Sequence, residues 1–251
     1  MKHFKLTLLL AGLLLLGAQA LASPVYAPIP AIVSTGAGLT QGATDASYLL
    51  ITAPFGVTIA SPVVTCDVID CGSGGTTPAF PFWANSPWAW TPDTASSAWV
   101  GIQAIEYGNI NEKDPGVAGT GVTVQDPTGW YDFQIEFNLT AYQAATAVIS
   151  GSWAVDNDGY IYLNGSQTPF FCDVSPSCYQ TMTDFTLTSG FVAGVNYLDF
   201  KVYNWAGATG NPVGLNVNMT GYYEVPEPAS AALWGVGLAA LAILHRRRRA
   251  S

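Results

Sequence analysis

Between residues 131 and 139 apolar and polar side chains alternate without a slip. Tyr131, Phe133, Ile135, Phe137 and Leu139 share one parity, and Asp132, Gln134, Glu136 and Asn138 the other. A period of two is what a strand produces, whereas a helix would scatter these apolar groups around its axis. The segment therefore predicts a strand with one buried face, which requires a second layer packed over that face. The pattern recurs: Leu198, Phe200 and Val202 alternate with Asp199, Lys201 and Tyr203, and Leu215, Val217 and Met219 with Asn216 and Asn218. Further strands are expected at 47–52, 98–103, 147–155, 160–163 and 184–188, with turn signals at Asn157-Asp158-Gly159 and Asn164-Gly165. No long helical period interrupts them. The expectation is all-β, a single two-sheet sandwich.

Charge narrows what such a sandwich can do. All 17 acidic residues lie between Asp45 and Glu227, where the basic residues are Lys113 and Lys201, so this stretch carries −15 and contains no arginine or histidine. Nucleic-acid binding needs phosphate neutralised by Lys and Arg, and is excluded. A Ser-His-Asp triad is excluded for want of the histidine. Cations, neutral sugars and solubility outside the cell remain compatible with the acidity.

The two ends read as export and anchoring. Lys2 and Lys5 precede an apolar run at 6–16 and small-residue cleavage sites at Ala18-Gln19-Ala20 or Ala20-Leu21-Ala22, the form of a signal peptide over 1–22. At the other end Pro226, Glu227 and Pro228 lead into an apolar run of 16 residues, 229–244, followed by His245 and Arg246, Arg247, Arg248 and Arg249. Sixteen residues make about 24 Å of helix, short of a hydrocarbon core of about 30 Å, so the span relies on snorkelling arginines. The arginines hold the C-terminus on the cytoplasmic side.

This block resembles the PEP-CTERM sorting signal of Gram-negative bacteria, in which a Pro-Glu-Pro motif, a short transmembrane helix and an arginine-rich tail follow in order. The resemblance implies an exosortase partner, a membrane cysteine protease that cleaves near the motif. It also implies transient inner-membrane anchoring and a mature protein at the cell surface or in the extracellular matrix. Expected domains are a signal peptide at 1–22, an extended lead-in at 23–42, a sandwich ectodomain at 43–225 and the sorting signal at 226–251. Residues 151–165, from Gly151-Ser152-Trp153 through Asp156-Asn157 to Leu163-Asn164-Gly165, look like the Trp-x-x-Asp-Asn to Leu-Asn-Gly hairpin of jelly-roll, galactose-binding-like ectodomains. Residues 196–205 and 211–215 resemble the strands that follow it, which carries the likeness over roughly 98–223 and implies a jelly-roll sandwich.

Within the ectodomain, Cys66, Cys71, Cys172 and Cys178 form two close pairs, and an exported chain favours bridges. Pairing Cys66 with Cys71 and Cys172 with Cys178 is preferred among three connectivities, with zinc as the competing reading. Asp156, Asn157 and Asp158 offer hard oxygens for calcium, against a turn in which they cap backbone amides. No cofactor is expected, unless calcium binds these oxygens. Trp88 and Trp90, in a proline-rich segment, are candidates for stacking on sugar, whereas Trp99, Trp153 and Trp205 lie in strand-like runs and are expected in the core. Glu106, Asp132, Glu136, Asp156 and Asp158 are available for two-carboxylate hydrolysis, but no spacing selects a pair. The leading expectation is a non-enzymatic, exosortase-sorted protein with a structural or adhesive role in an exopolysaccharide matrix. A lectin-like, calcium-assisted sugar-binding module is the alternative, and a glycoside hydrolase a remote one.

Overall fold

The computed structural model describes residues 24–65, 90–103, 126–206 and 212–226, together with 237, 241–243 and 245–249. The chain divides into one compact unit, Pro28–Tyr223, and a second comprising Met1–Ala27 and Glu224–Ser251. Its strands are β1 (Val25–Pro28), β2 (Leu49–Thr52), β3 (Val63–Val64), β4 (Val100–Gly101), β5 (Gly129–Leu139), β6 (Val148–Asp156), β7 (Asp158–Leu163), β8 (Ser166–Cys172), β9 (Thr183–Leu187), β10 (Gly194–Asn204) and β11 (Gly214–Val225). Two short helices, α1 (Ala141–Thr146) and α2 (Ser177–Gln180), lie between them. One sheet runs β3-β4-β11-β6-β9 and the other β2-β5-β10-β7-β8. The chain repeatedly crosses from one sheet to the other, and the result is the expected two-sheet, jelly-roll-like sandwich.

Alternation builds both inner faces. β5 and β10 pair antiparallel from Gly194 opposite Leu139 to Asn204 opposite Gly129, which places Phe133 opposite Phe200 and Ile135 opposite Leu198. These side chains are buried, and meet Ile149, Trp153 and Val155 of β6, Phe185 of β9, and Leu215 and Val217 of β11 in one core. Trp153 and Phe185 contact Phe200 across the sandwich, with ring centroids 6.0 and 6.1 Å apart. A one-residue slip of β5 would turn Phe133 out and Asp132 in, so register and burial enforce each other.

Three expectations change. Asn157-Asp158-Gly159 is not a hairpin turn, because β6 belongs to one sheet and β7 to the other. This segment is a crossing with a cis Asp156–Asn157 peptide. The hairpin is the following one, β7 to β8, where Asn164 (φ 52°) and Gly165 (φ 76°) supply the two positive φ values of a tight turn. The 23–42 lead-in contributes to the fold: Ile29 and Ile32 are buried in the core. Thr35 Oγ1 accepts from Val217 N (2.9 Å) and donates to Ala98 O (2.7 Å). Finally, Asn216 is buried, because Trp90, Trp99, Ala154 and Tyr179 form a second small cluster and β11 is covered on both faces. Among the described residues no helix is long and apolar enough to cross a membrane. All of 1–22 and most of 229–244 fall outside them.

Candidate functional site

The second sheet turns its other face outward, and the alternation that buries Phe133 and Phe200 decides what stands there. Trp130, Asp132, Gln134 and Glu136 project from β5, Tyr197, Asp199, Lys201 and Tyr203 from β10, Tyr160 and Tyr162 from β7, and Phe171 from β8. The rings form a continuous strip. Trp130 and Tyr203 are register partners with centroids 4.9 Å apart, and Tyr160 and Phe171 are partners at 5.9 Å. Cross-strand pairing accounts for each couple. It does not account for Trp130 reaching over β10 to Tyr160 at 5.8 Å, which joins the two couples into one surface. Trp130 is 45% exposed and Phe171 49%. Contiguous exposed aromatic area of this kind marks a contact surface. The planes at Trp130 meet their neighbours at 58° and 53°, so the strip is twisted rather than flat.

Beside the strip lies a polar group. Lys201 Nζ stands 3.3 Å from Asp132 Oδ2 and 4.5 Å above the Tyr162 ring, while Gln134 Nε2 donates to Asp199 Oδ1 at 2.7 Å. Burial raises the Asp132 carboxyl above its ordinary range, Asp199 adds to this, and Lys201 pulls it back. Asp132 Oδ1 is buried with no hydrogen-bond partner among the described residues. At the end of the strip the Trp205 indole donates to Asp158 Oδ2 at 2.8 Å, and Asp158 is the register partner of Tyr203.

The crossing segment holds its polar groups inward. Asn157 Oδ1 accepts from Trp205 N (2.8 Å) and Asn157 N donates to Tyr203 O (3.1 Å). Asp156 is buried on the far side of its own sheet, where Trp90 Nε1 donates to its Oδ2 at 2.7 Å. Desolvation pushes the Asp156 carboxyl up to about 7, against the hydrogen bonds from Trp90 and Asn157 and with the charges of Asp126 and Asp158. Asp156 and Asp158 thus engage different indoles, and among the described residues no three His, Cys, Asp or Glu side chains gather as a metal-holding group.

Trp90 is the clearest correction. It is 8% exposed, stacked on Trp99 at 4.2 Å and bonded to Asp156, so its faces are taken. Proline-rich surroundings suggested a loop aromatic, but two partners distant in sequence draw it into the second cluster. Trp88 lies outside the described residues. Trp99 and Trp153 are core as expected, whereas Trp205, expected there too, is 42% exposed. Sequence reasoning passed over Trp130, Tyr203, Tyr160 and Phe171. A signal was present: Trp130 and Tyr203 share parity with Asp132 and Lys201, positions that alternation assigns to water. Of the hydrolase carboxylates, Asp132 is paired with Lys201, Asp156 and Asp158 hold indoles, Glu136 is exposed, and Glu106 lies outside the described residues. Cys172 and Cys178 are joined, with Cα atoms 5.6 Å apart, whereas Cys66 and Cys71 lie outside the described residues. Of the sorting motif Pro226 is described and Glu227 and Pro228 are not; Arg246, Arg247, Arg248 and Arg249 are exposed.

No protein-family model matches the chain, and no curated protein matches it in sequence. Among solved structures it is similar to a family 35 carbohydrate binding module from Clostridium thermocellum, at 12% identity and TM-score 0.28, covering 81% of this chain and 100% of that one. A family 35 module from an environmental isolate matches at 18% identity and TM-score 0.25, over 48% of this chain and 89% of the other. A β-glucuronidase from Ruminococcus gnavus matches at 14% identity and TM-score 0.27, over 40% of this chain. The chain spans 20% of that enzyme's length. At such TM-scores these likenesses assign neither a family nor a function to this chain.

Proposed function

We propose that this is an exported, exosortase-sorted surface or matrix protein whose sandwich binds polysaccharide without catalysis, through the outer face of the second sheet. The observation that carries the binding role is the strip joining Trp130, Tyr203, Tyr160 and Phe171 across four strands. Aromatic faces stack on the C–H faces of sugar rings, and the polar group beside them presents donors and acceptors to hydroxyls. A twisted strip suits a single soluble chain better than a flat crystalline surface. Export and sorting rest on the Lys2 and Lys5 leader and on Pro226-Glu227-Pro228, the apolar run and the four arginines in that order.

Isothermal titration of the mature protein with soluble glycan oligomers tests the reading. Trp130→Ala is expected to weaken binding at least about tenfold, the loss of roughly 1.4 kcal/mol that one aromatic contact supplies, while the melting temperature changes little because the ring is half exposed. Unchanged affinity in that variant would remove the strip from the site. Repeating the titration in chelator asks whether calcium takes part. Equal affinities would leave Asp156, Asn157 and Asp158 with the structural role their hydrogen bonds already describe.

A further inference from the structure

The same outer face carries more negative charge than a site for neutral sugar needs. Among the described residues, Asp132, Glu136, Asp158 and Asp199 share it with one cation, Lys201. Two of the carboxylates, Asp132 and Asp199, are buried in the middle of the face rather than solvated at its rim. They are close enough for Asp199 to disfavour ionisation of Asp132. Lys201 bonds to Asp132 only, through Oδ2, and the other oxygen, Oδ1, is buried without a partner among the described residues. Arginine and histidine are absent between Asp45 and Glu227, and the two lysines there, Lys113 and Lys201, face 17 acidic residues. Carboxylates accept hydrogen bonds and donate none, and an ammonium donates three and accepts none. A face built this way repels uronates and sulfated glycans and complements a cationic one.

We infer that the aromatic strip and the Asp132–Asp199 pair together select polysaccharides bearing free, protonated amino groups, poly-glucosamine chains being the class. This rests on the polysaccharide-binding reading and adds the ligand's charge to it. Rings of the chain stack on Trp130, Tyr203 and Tyr160, and an amino group beside them lies in the field of the buried Asp132 and Asp199, whose charge Lys201 neutralises only in part.

The experiment compares glucosamine hexamer, its fully N-acetylated counterpart, a neutral glucan hexamer and an oligouronate on the mature protein by isothermal titration. The pH is set at about 6, above the ordinary carboxylate range and below that of an amine. The expected result is that glucosamine hexamer binds at least about tenfold tighter than the N-acetylated one, with the oligouronate weakest and the advantage shrinking as salt is added. Lys201→Gln is expected to widen the preference several-fold by removing the competing cation. Asp132→Asn combined with Asp199→Asn should abolish it, read as equal affinities of that variant for the glucosamine and N-acetylated hexamers. Trp130-dependent binding of all the uncharged hexamers at the affinity of glucosamine hexamer, or no gain in Lys201→Gln, overturns the amino-sugar inference and leaves the sugar-binding reading standing. Binding of none of the four overturns both.

Discussion

Asp156 shows what one buried carboxyl does to the stability of this domain. Desolvation outweighs the Trp90 and Asn157 hydrogen bonds and lifts its carboxyl to about 7, well above the ordinary aspartate range. A carboxyl with a raised folded-state pKa holds its proton better in the folded protein than in the unfolded one. The folded state is therefore favoured at low pH, and this contribution is lost as pH rises between about 4 and about 7. Asp156→Asn keeps an oxygen for the Trp90 indole and removes the ionisation. The variant is expected to lack that slope and to exceed the parent at pH 8 by on the order of 2 kcal/mol, read from urea unfolding in chelator at several pH values. A parent whose stability is flat from pH 4 to 7 in chelator would show that the carboxyl is not desolvated as described. At this same scale the sequence was least informative. Asp156, Asn157 and Asp158 are three adjacent polar residues that look alike in one dimension. Strand alternation would put Asp156 and Asp158 on one face, but β6 ends at Asp156 in one sheet and β7 begins at Asp158 in the other, so Asp156 meets Trp90 on one sheet's outer face and Asp158 meets Trp205 at the end of the other.

Elements are held at close approaches as much as by their hydrogen bonds. β6 lies against β11 with Gly151 opposite Met219, and a Cβ at Gly151 would strike Asn218 O and come within 2.7 Å of Met219 Cα. Both clashing groups are backbone, so neither side chain can swing away. Gly151→Ala is expected to cost about 2–3 kcal/mol, measured as a lower denaturation midpoint with unchanged m-value. A loss below 0.5 kcal/mol would mean that β6 and β11 separate easily. Gly214 is bare for a different reason, since the Trp90 ring covers it. A helix at α1 was not expected from the alternation, yet Thr140-x-x-Gln143 forms its reciprocal capping box, with Thr140 N donating to Gln143 Oε1 (2.7 Å) and Gln143 N to Thr140 Oγ1 (3.3 Å). Strands β5, β10 and β11 fall where alternation placed them and β6 and β7 where further strands were expected, while β8 was passed over because, as an edge strand with Pro169, it alternates too weakly to stand out.

For the molecule as a whole, the export and sorting proposals make a prediction about mass. The mature protein from its own organism should lack the leader near residue 22 and the arginine tail, ending near Pro226. A double change, Pro226→Ala with Glu227→Ala, should leave the tail attached and the protein in the membrane fraction, as read by mass spectrometry of both fractions. A mature protein that keeps Arg246–Arg249, or processing untouched by the double change, counts against exosortase sorting. The sequence by itself determined the fold class, the two inner faces and the acidity, because a period of two and a charge balance are properties of neighbours along the chain. The one described disulfide, Cys172 to Cys178, was legible for the same reason, its partners lying six residues apart. Only the tertiary structure decided that Trp90 is buried and Trp205 exposed, that residues 156–158 are a crossing between sheets, and that Trp130, Tyr203, Tyr160 and Phe171 meet. The ring contacts join β5, β10, β7 and β8, and their rings stand up to 73 residues apart in the chain, from Trp130 to Tyr203. Strand order and register, set by burial of the opposite face, bring them side by side, and no pattern local to the chain carries that information.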